Sequence, residues 1–316
     1  MIWKEVLDKT DTYLTGKGVP DARVASELLA ARLLHTGRGL LAGEMAKEVP
    51  GKCVEAMRRG MARLVKGEPI QYVLGEWDFR TLTLKCDRRA LIPRPETEEL
   101  VTRVLNWLEK NGEAVSSPEQ NGEAVSRPLQ QEEMSTFSRS GQETASPWIV
   151  DVGTGTGAII LSLAKELHSN AVFLGTDVSE DAIALAKENA ERCGLSDRVK
   201  FVVMDGLDEF DEPQCVDVIV SNPPYIESAV CETLDPRVKD FEPRLALDGG
   251  SSGLDFYDRY LSDAVNLLKP GGAVFFEIGE NQGEAVKKLM FDCGFDDIKI
   301  EKDFAGHDRY ASAILK

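Results

Sequence analysis

The sequence is poor in the residues that build metal centres. It has three histidines, His35, His168 and His307, and its six cysteines, at 53, 86, 193, 215, 231 and 293, are widely spaced with no CxxC pair. No ligand spacing suits tetrahedral zinc, so no metal is expected. Reduced thiols, several of them buried as small hydrophobes, are expected in place of disulfides. No run of about 18 apolar residues occurs, which excludes a membrane-spanning helix. The opening MIWKEVLDKTDTYL is charged and amphipathic, unlike a secretory leader, so a cytoplasmic protein without a membrane partner is expected. Basic residues are also in deficit: 37 Lys and Arg stand against 54 Asp and Glu, a formal net charge of −17. That balance argues against stable, direct binding of nucleic acid through many phosphates.

What is present suits a globular protein of more than one domain. The chain has 316 residues, 42% hydrophobic and 29% charged. Residues 1–75 carry 12 Lys and Arg against 9 Asp and Glu, a net +3 that leaves −20 for the remainder. This first stretch has a helical period. Val24, Leu28, Ala31 and Leu34 recur at three- and four-residue intervals and predict a core-facing stripe, with Asp21 as its cap. GEPIQYVLGEWDFRTLTLKC then changes period, and Phe79, Leu82 and Leu84 among β-favouring residues predict a hairpin. The expected domains are a helical one at 1–75, a hairpin linker at 76–95 and a third segment at 96–316. Within the last, 112–146 is rich in Ser, Gln and Glu, repeats NGEAVS and lacks apolar periodicity, so it reads as a flexible inserted loop.

After Pro147 short apolar strands (WIVDV, AVFLGTD, VKFVVMD, VDVIVS, AVFFEIG) alternate with helical stretches, which implies a parallel sheet with helices on both faces. FDDIKIEKD and RYASAILK are joined by a link too short for a helical crossover and predict an antiparallel pair.

Two stretches at strand ends carry chemistry. Asp151, Val152, Gly153, Thr154, Gly155, Thr156, Gly157 and Ala158 follow the first of these strands and open a helix; the glycines let a ligand approach the backbone and the helix donors. Asp177 ends the next strand, where a carboxylate can accept both hydroxyls of a ribose. These residues by themselves fit NAD as well as S-adenosylmethionine. Asp151 favours the latter, because a carboxylate there suits a cationic amino-acid portion and repels a pyrophosphate. So does SNPPYI at 221–226, a proline-stiffened turn at a strand's carboxyl end for which a dehydrogenase has no obvious use.

DVGTGTG, the aspartate of GTD and SNPPYI resemble the S-adenosylmethionine-dependent methyltransferases that modify amide or exocyclic amino nitrogens. GEPIQYVLG and LIPRPETEELV, with the helical segment before them, resemble one branch: the peptide chain release factor N5-glutamine methyltransferases of the PrmC/HemK type. The resemblance spans nearly the whole chain outside 112–146. It implies an α/β fold, a Rossmann-like methyltransferase sheet with an N-terminal helical bundle and a linking β-hairpin. It also implies methyl transfer from S-adenosylmethionine, with S-adenosylhomocysteine as product, to the Gly-Gly-Gln glutamine of class I release factors, which the helical domain would help hold.

Carried over to this chain, the resemblance makes Asn222 and the Pro223 carbonyl acceptors for the target NH2, and Tyr225 the wall on its planar group. Pro224 completes the substrate turn, and Asn222 adjoins the cofactor. Asp151, Gly153, Thr154, Gly155, Thr156, Gly157 and Asp177 would hold S-adenosylmethionine, with Asp205 and Gly206 beside the adenine. Glu98 and Thr97 match the family's PETE string; Glu98 is expected at the substrate, and Thr97 at a ligand or as a buried helix cap. Gln71 and Tyr72 suit ligand or packing roles, Trp148 the core, and His307 no catalytic duty. A ribosomal-protein glutamine methyltransferase, a nucleic-acid adenine methyltransferase acting on a flipped base, an NAD-dependent oxidoreductase and a noncatalytic binding module are the alternatives.

Overall fold

A computed structural model describes residues 1–111, 147–208, 210 and 212–316; the stretch at 112–146 lies outside the described residues. The chain divides into two units, one of Met1–Trp77, Cys86–Arg88 and Leu234–Glu242, the other of Asp78–Lys85, Arg89–Thr233 and Pro243–Lys316.

The first unit is built on α1 (Trp3–Gly16), α2 (Ala22–Leu34), α3 (Gly51–Val65) and α4 (Ile70–Leu74). Trp3, Leu7 and Leu14 of α1, Leu29 and Ala30 of α2, and Met57 and Leu64 of α3 share one apolar core. The face that α2 buries differs from the expected stripe. Ala22, Ala25, Ser26, Leu29, Ala30 and Ala31 are buried, whereas Val24, Leu28 and Leu34 are only half-buried. This helix is apolar on most sides, so periodicity could not choose its facing, and its small side chains permit the closest approach of neighbours. Asp21 stands at the N-cap position with a left-handed backbone, φ 49°, and its side chain makes no capping bond. Capping needs an extended backbone that aims the carboxylate at the first turn. IQYVL is a helix, so the hairpin is shorter than the change of period suggested. Arg63 ties α3 to α4, donating to the Glu68 carboxylate and to the carbonyls of Tyr72 and Val73. Tyr72 is buried in this unit and Gln71 half-buried.

The hairpin is β1 (Glu76–Phe79) and β2 (Leu82–Lys85), and α5 (Pro95–Asn111) follows. Phe79, Leu82 and Leu84 pack in the same core as Leu100 and Val104 of α5. Next come β3 (Trp148–Val152), α6 (Ala158–Glu166), β4 (Val172–Asp177), α7 (Glu180–Cys193), β5 (Val199–Val203) and β6 (Val216–Ser221). After the single turns α8 (Ser228–Cys231) and α9 (Pro236–Lys239) follow α10 (Asp255–Leu267), β7 (Leu268–Glu277), α11 (Gly283–Asp292), β8 (Phe295–Lys302) and β9 (Asp308–Leu315).

The seven-stranded sheet has the order β5-β4-β3-β6-β7-β9-β8. Its first five strands run parallel, and β9 is antiparallel to both neighbours, as the short link between β8 and β9 requires. On one face Ile149, Phe173 and Val218 meet Leu100, Ile160 and Ile183. On the other, Val150, Leu174 and Val274 meet Tyr257, Leu261 and Met290. Burial on both faces explains why these strands read as continuous apolar runs. From β3 the chain moves outward to β4 and β5, then returns to β6 on the opposite side. Such a switch point leaves a crevice beyond the carboxyl ends of β3 and β6.

Candidate active site

The crevice is bordered by the glycine loop. Gly153, Gly155 and Gly157 have φ of 70°, 55° and 82°, so every second residue between β3 and α6 is left-handed, a conformation glycine adopts without strain. The Gly155 amide donates to Asp177 Oδ2 at 3.0 Å and the Ser179 amide to Oδ1 at 2.9 Å, which fixes the carboxylate at the end of β4. Burial raises the pKa of Asp177, and the two amides oppose the shift. Asp151 is fully buried; its Oδ2 accepts from the Thr154 hydroxyl at 2.6 Å, and its Oδ1 has no hydrogen-bond partner among the described residues. Burial pushes this carboxyl up to about 7 against the pull of Thr154, with the Ile160 amide also favouring the charged form, short of a hydrogen bond.

One cavity gathers most of the expected residues. Gly153, Thr154, Gly155 and Thr156 line it with Asp177 of β4, Asp205 and Gly206 beyond β5, and Asn222 and Pro224 beyond β6. Arg259 of α10 holds Asp205 in place, donating to its Oδ1 and to its carbonyl at 2.8 Å each. Gly157 lies behind the cavity as the left-handed N-cap of α6. Pro223 is buried and Tyr225 half-buried just outside its lining. The Tyr225 carbonyl accepts from Gln282 Nε2 at 3.0 Å, which anchors the turn's backbone. Burial and the Glu277 carboxylate both raise the pKa of the Tyr225 phenol, so it stays neutral.

A polar chain that the sequence did not reveal lies behind Asn222. Asn222 Nδ2 donates to Thr97 Oγ1 at 3.0 Å, and the Thr97 hydroxyl donates to Glu277 Oε2 at 2.6 Å. Glu277 ends β7 beside the end of β6, where Ser221 pairs with Phe276. It is 2% exposed, and burial pushes it up to about 7 against the hydrogen bond from Thr97 and the charge of Arg309. The signal available in the sequence was position: a carboxylate at the carboxyl end of an apolar strand, AVFFEIG, where parallel sheets bind ligands.

Glu98, expected at the substrate, is bonded to the hairpin turn. It is absent from the cavity lining, and its Oε1 accepts from the Arg80 backbone amide at 3.1 Å. Adjacent residues of α5 point about 100° apart, so with Thr97 facing the cavity Glu98 turns toward the hairpin. Trp148 is half-buried at the start of β3, the sheet end away from the cavity, so it does not join the core as expected. His307 is exposed between β8 and β9, 3.4 Å from the Glu280 carboxylate. None of the six cysteines is in a disulfide, and no metal-holding cluster and no helix long and apolar enough to cross a membrane occurs among the described residues.

Comparison with known proteins adds to this geometry. A family model described as "Methyltransferase domain" matches residues 146–299, and one described as "PrmC N-terminal domain" matches residues 5–75. The human MTRF1L release factor glutamine methyltransferase is 33% identical over 98% of this chain and 84% of its own length. A release factor glutamine methyltransferase of Geobacter sulfurreducens is 36% identical over 98% of this chain and 95% of its own. The chain belongs to the release factor glutamine methyltransferase family. Membership sets aside the NAD-dependent reading that the glycine loop left open. The crystal structure of the hMettl16 catalytic domain, solved with a MAT2A 3'UTR hairpin, shares the fold at 18% identity and a TM-score of 0.52, covering 83% of this chain and 82% of that one.

Proposed function

We propose that this protein transfers a methyl group from S-adenosylmethionine to the side-chain amide nitrogen of a protein glutamine, the Gly-Gly-Gln glutamine of class I peptide chain release factors. The observation that carries the reading is that Asn222, at the end of β6, lines the same cavity as Asp177 and the glycine loop. The residues also fit the cofactor: Asp177 lines the cavity with its carboxylate held by two backbone amides, Asp151 keeps a buried carboxylate oxygen without a hydrogen-bond partner behind that lining, and the alternating left-handed glycines hold side chains back from the cavity. When bound, S-adenosylmethionine supplies an electrophilic methyl group on a sulfonium.

The remaining work is positioning. An amide nitrogen is a weak nucleophile because its lone pair is delocalised into the carbonyl. Asn222 Oδ1 and the Pro223 carbonyl accept the two N–H bonds of the target, hold its nitrogen in line and stabilise positive charge as it develops there, and the methylated nitrogen then gives up one of its two protons to solvent. Tyr225 packs on the planar group as a neutral ring. Asp177, oriented by the Gly155 and Ser179 amides, receives the ribose hydroxyls. Asp205 and Gly206 border the adenine, and the helical domain at 1–75 holds the release factor.

The test is transfer of radiolabelled methyl to a purified class I release factor, beside a version with the Gly-Gly-Gln glutamine changed to alanine. Label on the first and none on the second is expected. Label on both refutes the site, and label on neither refutes the substrate.

A further inference from the structure

An asparagine amide has two ends of nearly the same shape, and only one of them can accept a hydrogen bond from the substrate NH2. We infer that Thr97, held by Glu277, decides which end of Asn222 faces the substrate, and is therefore a positioning residue for methyl transfer. The inference rests on the reading that Asn222 Oδ1 is the acceptor.

The argument is a count of protons. A threonine hydroxyl has one proton and two lone pairs. With Glu277 ionised, as it is above about pH 7, Thr97 donates that proton to its Oε2 at 2.6 Å, the short distance of a bond to a carboxylate. Its oxygen can then only accept. Asn222 Nδ2, at 3.0 Å, supplies the matching donor. Turned end for end, the amide would place Oδ1 against an oxygen with no proton to offer, and its NH2 would meet the substrate NH2, donor against donor. Thr97 is 5% exposed and Glu277 2%, so neither is free to exchange its partner for solvent. The frame around them is fixed as well: the Tyr257 hydroxyl donates to the Glu277 carbonyl at 2.9 Å, and the Thr97 amide donates to the Arg94 carbonyl at 3.1 Å. Glu277 Oε1 also lies 3.5 Å from the Tyr225 hydroxyl, so one carboxylate stands behind both the acceptor and the wall. Thr97 lines the cavity beside Asn222, but its hydroxyl is committed to Glu277 and Asn222, so Thr97 and Glu277 act through Asn222.

The experiment compares Thr97→Val, which keeps the shape and removes the hydroxyl, with Thr97→Ser, which restores it, in the full chain saturated with S-adenosylhomocysteine. The first readout is the Asn222 side-chain NH2 pair in a ¹⁵N–¹H spectrum, identified by its disappearance in Asn222→Asp. One proton of that pair is expected to exchange slowly in the wild type and in Thr97→Ser, and to lose that protection in Thr97→Val. The second is turnover on a release factor: Thr97→Val is expected to lower kcat by roughly 10- to 100-fold while KM for the factor and the affinity for S-adenosylhomocysteine change by less than about threefold. Adding Thr97→Val to Asn222→Ala is expected to cost nothing further. An unchanged NH2 pair in Thr97→Val, turnover within about twofold of wild type, or losses that add in the double variant each overturns the inference. Should the valine variant not fold, Thr97→Ala takes its place with the same expectations. A wild type that labels no release factor refutes the proposed substrate, whereas the NH2 pair still decides the role of Thr97.

Discussion

Thr97 and Glu277 are 180 residues apart in the chain and joined by a hydrogen bond of 2.6 Å. The contact links the first turn of α5 to the end of β7 and runs on through Asn222 to the NPPY turn. It also buries a carboxylate whose titration the fold must accommodate.

That titration predicts how stability depends on pH. Glu277 is raised from an ordinary value of 4.5 to about 7, chiefly by burial. Between those values the folded state holds a proton that the unfolded state has lost, so stability falls as pH rises through this window and levels off above about 7. Asp151 and Asp177 shift in the same direction. Urea unfolding from pH 5 to pH 8 should therefore show decreasing stability, with a smaller decrease in Glu277→Gln. A Glu277→Gln profile parallel to wild type would count against the buried, raised carboxyl.

Asp177 should matter for cofactor affinity more than for folding. Replacing it with alanine removes an acceptor aligned by two backbone amides, so S-adenosylhomocysteine should bind at least about tenfold more weakly by calorimetry, in line with roughly 1.5–3 kcal/mol for hydrogen bonds to a charged group. Its thermal midpoint should change little or rise, because a buried, desolvated carboxylate is lost.

Gly157→Ala tests the loop's backbone. At φ 82°, with an added Cβ 3.0 Å from Leu161 Cδ1, the alanine meets both left-handed strain and a close neighbour in α6. A loss of about 1–3 kcal/mol is expected, read as a lower urea midpoint with an unchanged slope.

Arg80 and Glu98 should be stability residues. Arg80 donates to both oxygens of Glu166 at 2.7 and 2.6 Å, to the Glu98 carbonyl and to the Thr102 hydroxyl. Its side chain is 17% exposed, so solvent screening is incomplete, and Arg80→Ala should cost about 2–3 kcal/mol. Glu98→Gln, which keeps an acceptor oxygen for the Arg80 amide, should leave KM for the protein substrate within about twofold. A large rise in KM would return Glu98 to the substrate.

Much of this is encoded locally in the sequence. The alternation of apolar strands with amphipathic helices reports a parallel sheet because both its faces are buried. The glycine loop, Asp177 and SNPPYI were readable because each depends on local backbone chemistry: left-handed φ, a strand-end carboxylate, proline stiffness. The facing of α2 is not encoded locally, since a helix apolar on most sides has no unique stripe. Nor is the failure of Asp21 to cap, because the φ of a capping residue is set by the turn that precedes it.

Most of the elements, the alternation that makes the sheet parallel and the loops that border the cavity follow from interactions within a few residues. That Thr97 stands behind Asn222, and that Glu277 is the carboxylate that orients it, are settled by packing. Those choices depend on which face of α5 the sheet covers and on β7 lying beside β6. They are long-range packing relations, and no local pattern of residues encodes them.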